Sequence, residues 1–157
     1  MLEIPFFYFF GAAFIFFVVS GVFFFFQKSK IIKKYKQPNG VIIKNIHGTI
    51  VTTVKGTLRY SKSFQWCSLD ILINHNSMFL FPRSFYIFPR GCINLRFKLD
   101  GSNTKNPTVL NEFTINTNSV ELIYYPDHML HAKRNISLYY LSQEQILIFE
   151  KALNKQM

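Results

Sequence analysis

From Pro5 to Phe26 the chain carries no charged side chain, and directly afterwards, between Gln27 and Gln37, stand Lys28, Lys30, Lys33, Lys34 and Lys36. The charge-free run is 22 residues long. At about 1.5 Å per residue that is roughly 33 Å of helix, enough to cross the ~30 Å hydrocarbon core of a bilayer. The pattern predicts a transmembrane anchor over residues 1–27 and a basic juxtamembrane linker over residues 28–39. Lysines are held on the cytoplasmic side by the insertion bias and by anionic lipid, whereas the other end of the run offers only Glu3 and the amino terminus. The expected location is the cell membrane, single-pass, with the N-terminus outside and the C-terminal domain cytoplasmic. A cleaved signal peptide would need a basic start, a shorter apolar region and small residues before the cut. Met1 to Ile4 contains no Lys or Arg, and lysines follow the run.

Beyond the basic segment, Pro38 to Met157 leaves 120 residues, the size of one domain with one core. The net charge of +10 divides into +4 for residues 1–36 and +6 for the remainder, so the domain is itself basic. A basic body tethered near an anionic leaflet meets lipid headgroups at high effective concentration, and each Lys or Arg near the surface contributes about 1 kcal/mol. The partner expected is therefore membrane lipid, or a membrane protein, rather than nucleic acid. Cys67 and Cys92 share no close spacing and form no zinc motif.

Pro38-Asn39-Gly40 is a turn signal that opens the folded part, residues 40–157. Period-two alternation then dominates. Thr49 to Tyr60 places Ile50, Thr52 and Val54 on one face and Val51, Thr53, Lys55 and Arg59 on the other, with a bend at Gly56. Phe64 to Ile73 turns Cys67, Leu69, Ile71 and Ile73 inward and leaves Trp66, Ser68 and Asp70 mostly outward. Met78 to Phe81 and Phe85 to Phe88 are short apolar runs that suit strands buried on both faces or packed at an edge. Cys92–Leu99, Thr108–Ile115, Ser119–Tyr125 and Asn135–Leu141 read as further strands, with a polar loop from Asp100 to Pro107. Ser142 with Gln145 forms a capping box, and Ile146, Phe149 and Leu153 recur at helical spacing, which predicts an amphipathic helix over residues 142–156. The fold class is mainly β with one C-terminal α-helix, seven or eight short antiparallel strands closed by that helix, plus the N-terminal transmembrane helix.

Lys55-Gly56-Thr57-Leu58-Arg59, Ser61-Lys62-Ser63, Phe64 to Asp70 and Ser77-Met78-Phe79-Leu80-Phe81 resemble the opening three strands of a pleckstrin-homology-like (PH-like) domain. The resemblance spans residues 48–157 in the order of elements, and the accompanying transmembrane helix is similar to the layout of bacterial members. It implies a partly open antiparallel barrel plugged at one end by the C-terminal helix. The tryptophan common in that helix of eukaryotic members is absent, with Phe149 nearest to its place. In phosphoinositide-binding members, basic residues of the first strand and first loop hold phosphate, and by position these correspond to Lys55, Arg59 and Lys62.

Physical chemistry points to the same three residues. Lys55 and Arg59 share the outward face and Lys62 stands on the adjoining turn, so three cations can converge on one anion; a solvated basic face is the plainer account. Phe79, Phe81, Phe85, Tyr86 and Phe88, bracketed by Arg83 and Arg90, are either ordinary core or an aromatic surface that dips into lipid. Asp127, His128 and His131 share one loop but lack a fixed geometry, so no metal or other cofactor is expected. Without a recognisable catalytic motif the chain reads as a noncatalytic binding or scaffolding module. An accessory subunit or assembly factor of a membrane complex is the alternative, and a metal-dependent hydrolase would rest on the His128 loop alone.

Overall fold

The chain begins with one unbroken helix, α1 (Glu3–Tyr35), which continues the apolar run straight through the first lysines. The structure is a computed structural model that describes residues 3–56, 60–85, 88–97, 107–126 and 131–154. Arg59, Tyr86, Asp127, His128 and the polar loop from Asp100 to Asn106 lie outside the described residues. Among the described residues, one helix, α1, is long and apolar enough to cross a membrane. Its phenylalanines project on every side, which suits a helix solvated by lipid rather than by a protein core.

The last turns of α1 behave differently. Ile31 is buried, and Ile32 and Tyr35 pack with it onto Leu72, Phe79 and Phe81. Tyr35 stacks on Phe79 with ring centroids 5.5 Å apart. Residues 28–35 of the expected linker are therefore helical and docked. Ile31, Ile32 and Tyr35 recur at helical spacing and give this stretch an apolar stripe, while Lys30, Lys33 and Lys34 stay exposed. Burying Leu72 and Phe79 fully under that stripe contributes about 2 kcal/mol each.

Among the described residues eight strands follow: β1 (Val41–Lys55), β2 (Tyr60–Ile73), β3 (Ser77–Ser84), β4 (Phe88–Pro89), β5 (Ile93–Arg96), β6 (Thr108–Ile115), β7 (Val120–Tyr124) and β8 (Ala132–Tyr139). Seven of them form a ring in the order β2-β1-β8-β7-β6-β5-β3, closed by pairing of β2 with β3, and β4 is a short spur on β3. The mainly-β class with a long apolar N-terminal helix and one C-terminal helix is what the chain forms. Two details of the ring differ from a partly open, wholly antiparallel barrel. The β2–β3 pairing closes it, and β5 runs parallel to β6, with Leu95 opposite Thr108 and Arg96 opposite Val109. Parallel neighbours need a long connection, and the chain between Arg96 and Thr108 supplies one.

Inside the ring, Ile50, Cys67, Leu69, Ile71, Met78, Leu80, Leu95, Leu122, Ile136 and Leu138 form one core. β3 is buried on both faces: Met78 and Leu80 point into the ring, and Phe79 and Phe81 lie outside it under α1. One end of the barrel is plugged by α2 (Gln143–Leu153), which buries Ile146, Phe149 and Leu153. The capping box is present, with Ser142 Oγ accepting from the Gln145 N–H and the Gln145 side chain accepting from the Ser142 N–H.

β1 starts at Val41, well before its alternation becomes visible, because a bulge between Ile43 and Ile46 breaks the register. Asn45 occupies the bulge at φ 57°, a left-handed conformation that asparagine tolerates. β2 begins at Tyr60, so Ser61-Lys62-Ser63 belongs to a strand and not to the turn expected for it.

Candidate functional site

Strand register brings three lysines together. Thr53 of β1 faces Lys62 on β2 and Lys133 on β8, and Lys55 stands two residues further along β1. Neighbouring strands lie about 4.8 Å apart, so Lys62 and Lys133 flank Thr53 across roughly 10 Å of sheet. Ile50 and Ile136 of the opposite parity lie in the core, which makes this the outward face. The lysines line a hollow of about 730 Å³ together with Val51, Thr53, Tyr125, His131 and Asn135. None of these described lining residues is acidic. His131, at φ 59°, ends the approach to β8, and its carbonyl accepts the Lys55 N–H at 3.2 Å.

Of the three residues expected from the sequence, Lys55 and Lys62 thus share one basin, and Arg59 lies outside the described residues. Lys133 completes the basin and was missed. Its only signal is its place in β8, which becomes meaningful once β8 is known to pair with β1.

A second hollow, about 410 Å³, opens into the ring and is lined by Thr52, Gln65, Arg90, Asn94, Tyr124 and Arg134 among others. Arg134 Nε donates to Thr52 Oγ1 at 3.2 Å and Nη1 to the Tyr124 hydroxyl at 3.4 Å. Burial pushes the Tyr124 hydroxyl pKa up, against the opposing pull of Arg134. Deeper in the ring, burial pushes the Cys67 thiol up to about 11.

The lysines that follow the apolar run divide into two groups. Lys28 contacts Asp70, which accepts the Asn45 N–H at 2.8 Å and lies 3.5 Å from Arg83 Nη2. Asp70 was expected to face solvent; it is buried because α1 covers its side of the sheet. Lys30, Lys33, Lys34 and Lys36 remain exposed and able to meet an anionic surface.

Helix and strands share a direction. Tyr35 sits at the end of the barrel occupied by the β2–β3 turn, where its carbonyl accepts from Asn74 Nδ2 at 2.9 Å. The hollow beside α2 is lined by Val41 and Asn74, which places the plug at this same end. Going back toward its N-terminus, α1 passes Asp70 at Lys28 and Phe88 at Phe17. β1 also leaves the plug at Val41 and ends at Lys55, so the lysine basin lies toward the strand ends on the side from which the apolar helix extends.

Neither the protein-family models nor the curated proteins compared with this chain give a match.

Proposed function

We propose that this chain is a single-pass, membrane-anchored and noncatalytic binding module whose cytosolic barrel recognises anionic lipid headgroups through the basin of Lys55, Lys62 and Lys133. The observation that carries the reading is the convergence of these three lysines on one hollow at the end of the barrel toward which α1 extends. Three ammonium groups near an anionic surface contribute about 3 kcal/mol together, roughly a hundredfold in affinity over a neutral lipid. The lysines after Phe26 favour a cytosolic barrel through the insertion bias. The C-terminal plug helix, the basic first strand and the preceding apolar helix support the resemblance to PH-like domains. The closed ring with its parallel pair is where the two part.

An accessory subunit that captures a partner strand is the second reading. Strand addition needs an open sheet edge, and the closed ring offers the two-residue β4 as its spur, so this reading has less to stand on.

The test uses the full chain in nanodiscs of neutral phosphatidylcholine, titrated with inositol trisphosphate by calorimetry at several salt concentrations. Saturable binding that weakens as salt rises is expected. Absence of heat at low salt, or binding indifferent to salt, overturns the headgroup reading.

A further inference from the structure

We propose that the mouth of the barrel at the end opposite α2 is a second binding site, in which Arg90 and Arg134 clamp a small organic dianion, a phosphate monoester or a dicarboxylate, inside the ring.

The strands place the two arginines on opposite walls. Arg134 has the parity of Ile136 and Leu138 on β8, so its side chain enters the ring. Arg90 follows β4 and is tied to β3: its Nε donates to Ser84 Oγ at 2.7 Å, and Ser84 is buried with the inward parity of Met78 and Leu80. In the ring order, β3 and β8 are three strands apart one way and four the other. Arg90 stands exposed at the rim and Arg134 is half-buried, yet both line the same hollow of about 410 Å³. That volume lies in the range of small-molecule pockets. The basin of Lys55, Lys62 and Lys133 is on the outer face of the same wall, so the sheet separates the two sites.

Charge and orientation select the ligand. Arg90 and Arg134 are the charged residues of the described lining and none of it is acidic, so the hollow presents two positive charges to an entering molecule. Each guanidinium is steered through Nε by a neutral hydroxyl, Ser84 for Arg90 and Thr52 for Arg134. A hydroxyl orients the guanidinium plane without offsetting its charge, which a carboxylate in the same place would do. Ser84 Oγ also accepts from Gln65 Nε2, and the Tyr124 hydroxyl accepts from Arg134 Nη1 at 3.4 Å, so both walls are held by hydrogen bonds. Tyr124 keeps its own proton at neutral pH, because burial pushes its pKa up, and can donate it to a bound oxyanion. Beside these polar groups, Ile50, Pro82 and Ile93 give the hollow an apolar side for the body of the ligand.

The test titrates the full chain in phosphatidylcholine nanodiscs with phenyl phosphate and with succinate by calorimetry, with phenol as the neutral comparison. Saturable single-site binding of at least one dianion is expected. R90Q and R134Q should each weaken it about tenfold or more, the loss of a charge-assisted hydrogen bond. K44Q, at an exposed lysine that lines neither hollow, should leave it unchanged. Binding of neither dianion overturns the site, and so does phenol binding as tightly as phenyl phosphate. A loss in K133Q with none in R90Q assigns the anion to the outer basin and overturns the site inside the ring. R134Q also removes the bonds to Thr52 and Tyr124, so its near-ultraviolet dichroism is compared with that of the native chain; if that fold is lost, R90Q at the rim decides.

Discussion

Lys28 Nζ donates to the Asp70 carboxylate across 42 positions of sequence, joining the long apolar helix to the second strand of the barrel. Burial would raise the Asp70 pKa, but the Lys28 hydrogen bond, the Asn45 N–H and the charges of Lys28 and Arg83 outweigh it and hold the carboxyl below its ordinary 3.8. A carboxylate with a depressed pKa stabilises the folded state above its unfolded pKa, and that contribution is lost as pH falls through the lower folded value. Asp70→Asn should loosen the docking of α1 by about 1–3 kcal/mol, because two cations lose the carboxylate between them. Denaturant melts of the detergent-solubilised chain should show that gap at neutral pH and a shrinking gap as the pH drops below about 4. A gap independent of pH would mean that the contribution of Asp70 is not electrostatic.

Gly48 lies in the part of β1 that is paired on both sides, opposite Cys67 on β2 and Leu138 on β8. A Cβ there would lie 2.7 Å from the Ser137 carbonyl oxygen and 2.8 Å from Leu69 Cδ1. The first neighbour is backbone and the second is packed in the core, so neither yields without moving a strand. Gly48→Ala should cost about 1–3 kcal/mol, as overpacked cores do. A melting temperature equal to the native one would show that the barrel wall is softer than its packing implies.

The two thiols should separate in time. Cys67 is buried in the ring with its pKa pushed up to about 11 from 9.0, so at neutral pH it holds about a hundredfold less thiolate than an ordinary thiol. Cys92 is half-buried beside the cleft under α1. Maleimide at neutral pH should modify one site per folded chain, identified by peptide mass as Cys92, and reach Cys67 only after denaturation. Early modification of Cys67 would require frequent opening of the ring.

These features differ in how far they could be read in advance. The apolar run, the capping box at Ser142 and the strand stretches Phe64 to Ile73 and Thr108 to Ile115 are local patterns, and each lies in an element of the type it implied, although Ser68 and Asp70 of β2 are buried and not outward. The docked end of α1 was hidden because lysines dominate its composition; the stripe of Ile31, Ile32 and Tyr35 gains meaning only beside Leu72 and Phe79. The start of β1 was hidden by the bulge at Asn45, which reverses the parity of the residues before it. The basin was half legible for the same reason. Lys55 and Lys62 are only seven residues apart in sequence, whereas Lys133 joins them through a pairing between strands about eighty residues apart, which local periodicity cannot report.

That third lysine separates a built site from a diffuse basic surface. If Lys55, Lys62 and Lys133 act on one anion, removing any of them should weaken inositol trisphosphate binding by about fivefold, near 1 kcal/mol each. Lys44 is also exposed on β1 but does not line the basin. K133Q should therefore match K55Q and K62Q in calorimetry of the reconstituted chain, and K44Q should stay close to the native affinity. K133Q should also lower the salt dependence, since one fewer charge meets the ligand. Equal losses for K44Q and K133Q would assign the attraction to net charge alone, because a diffuse field counts lysines without regard to where the strands place them.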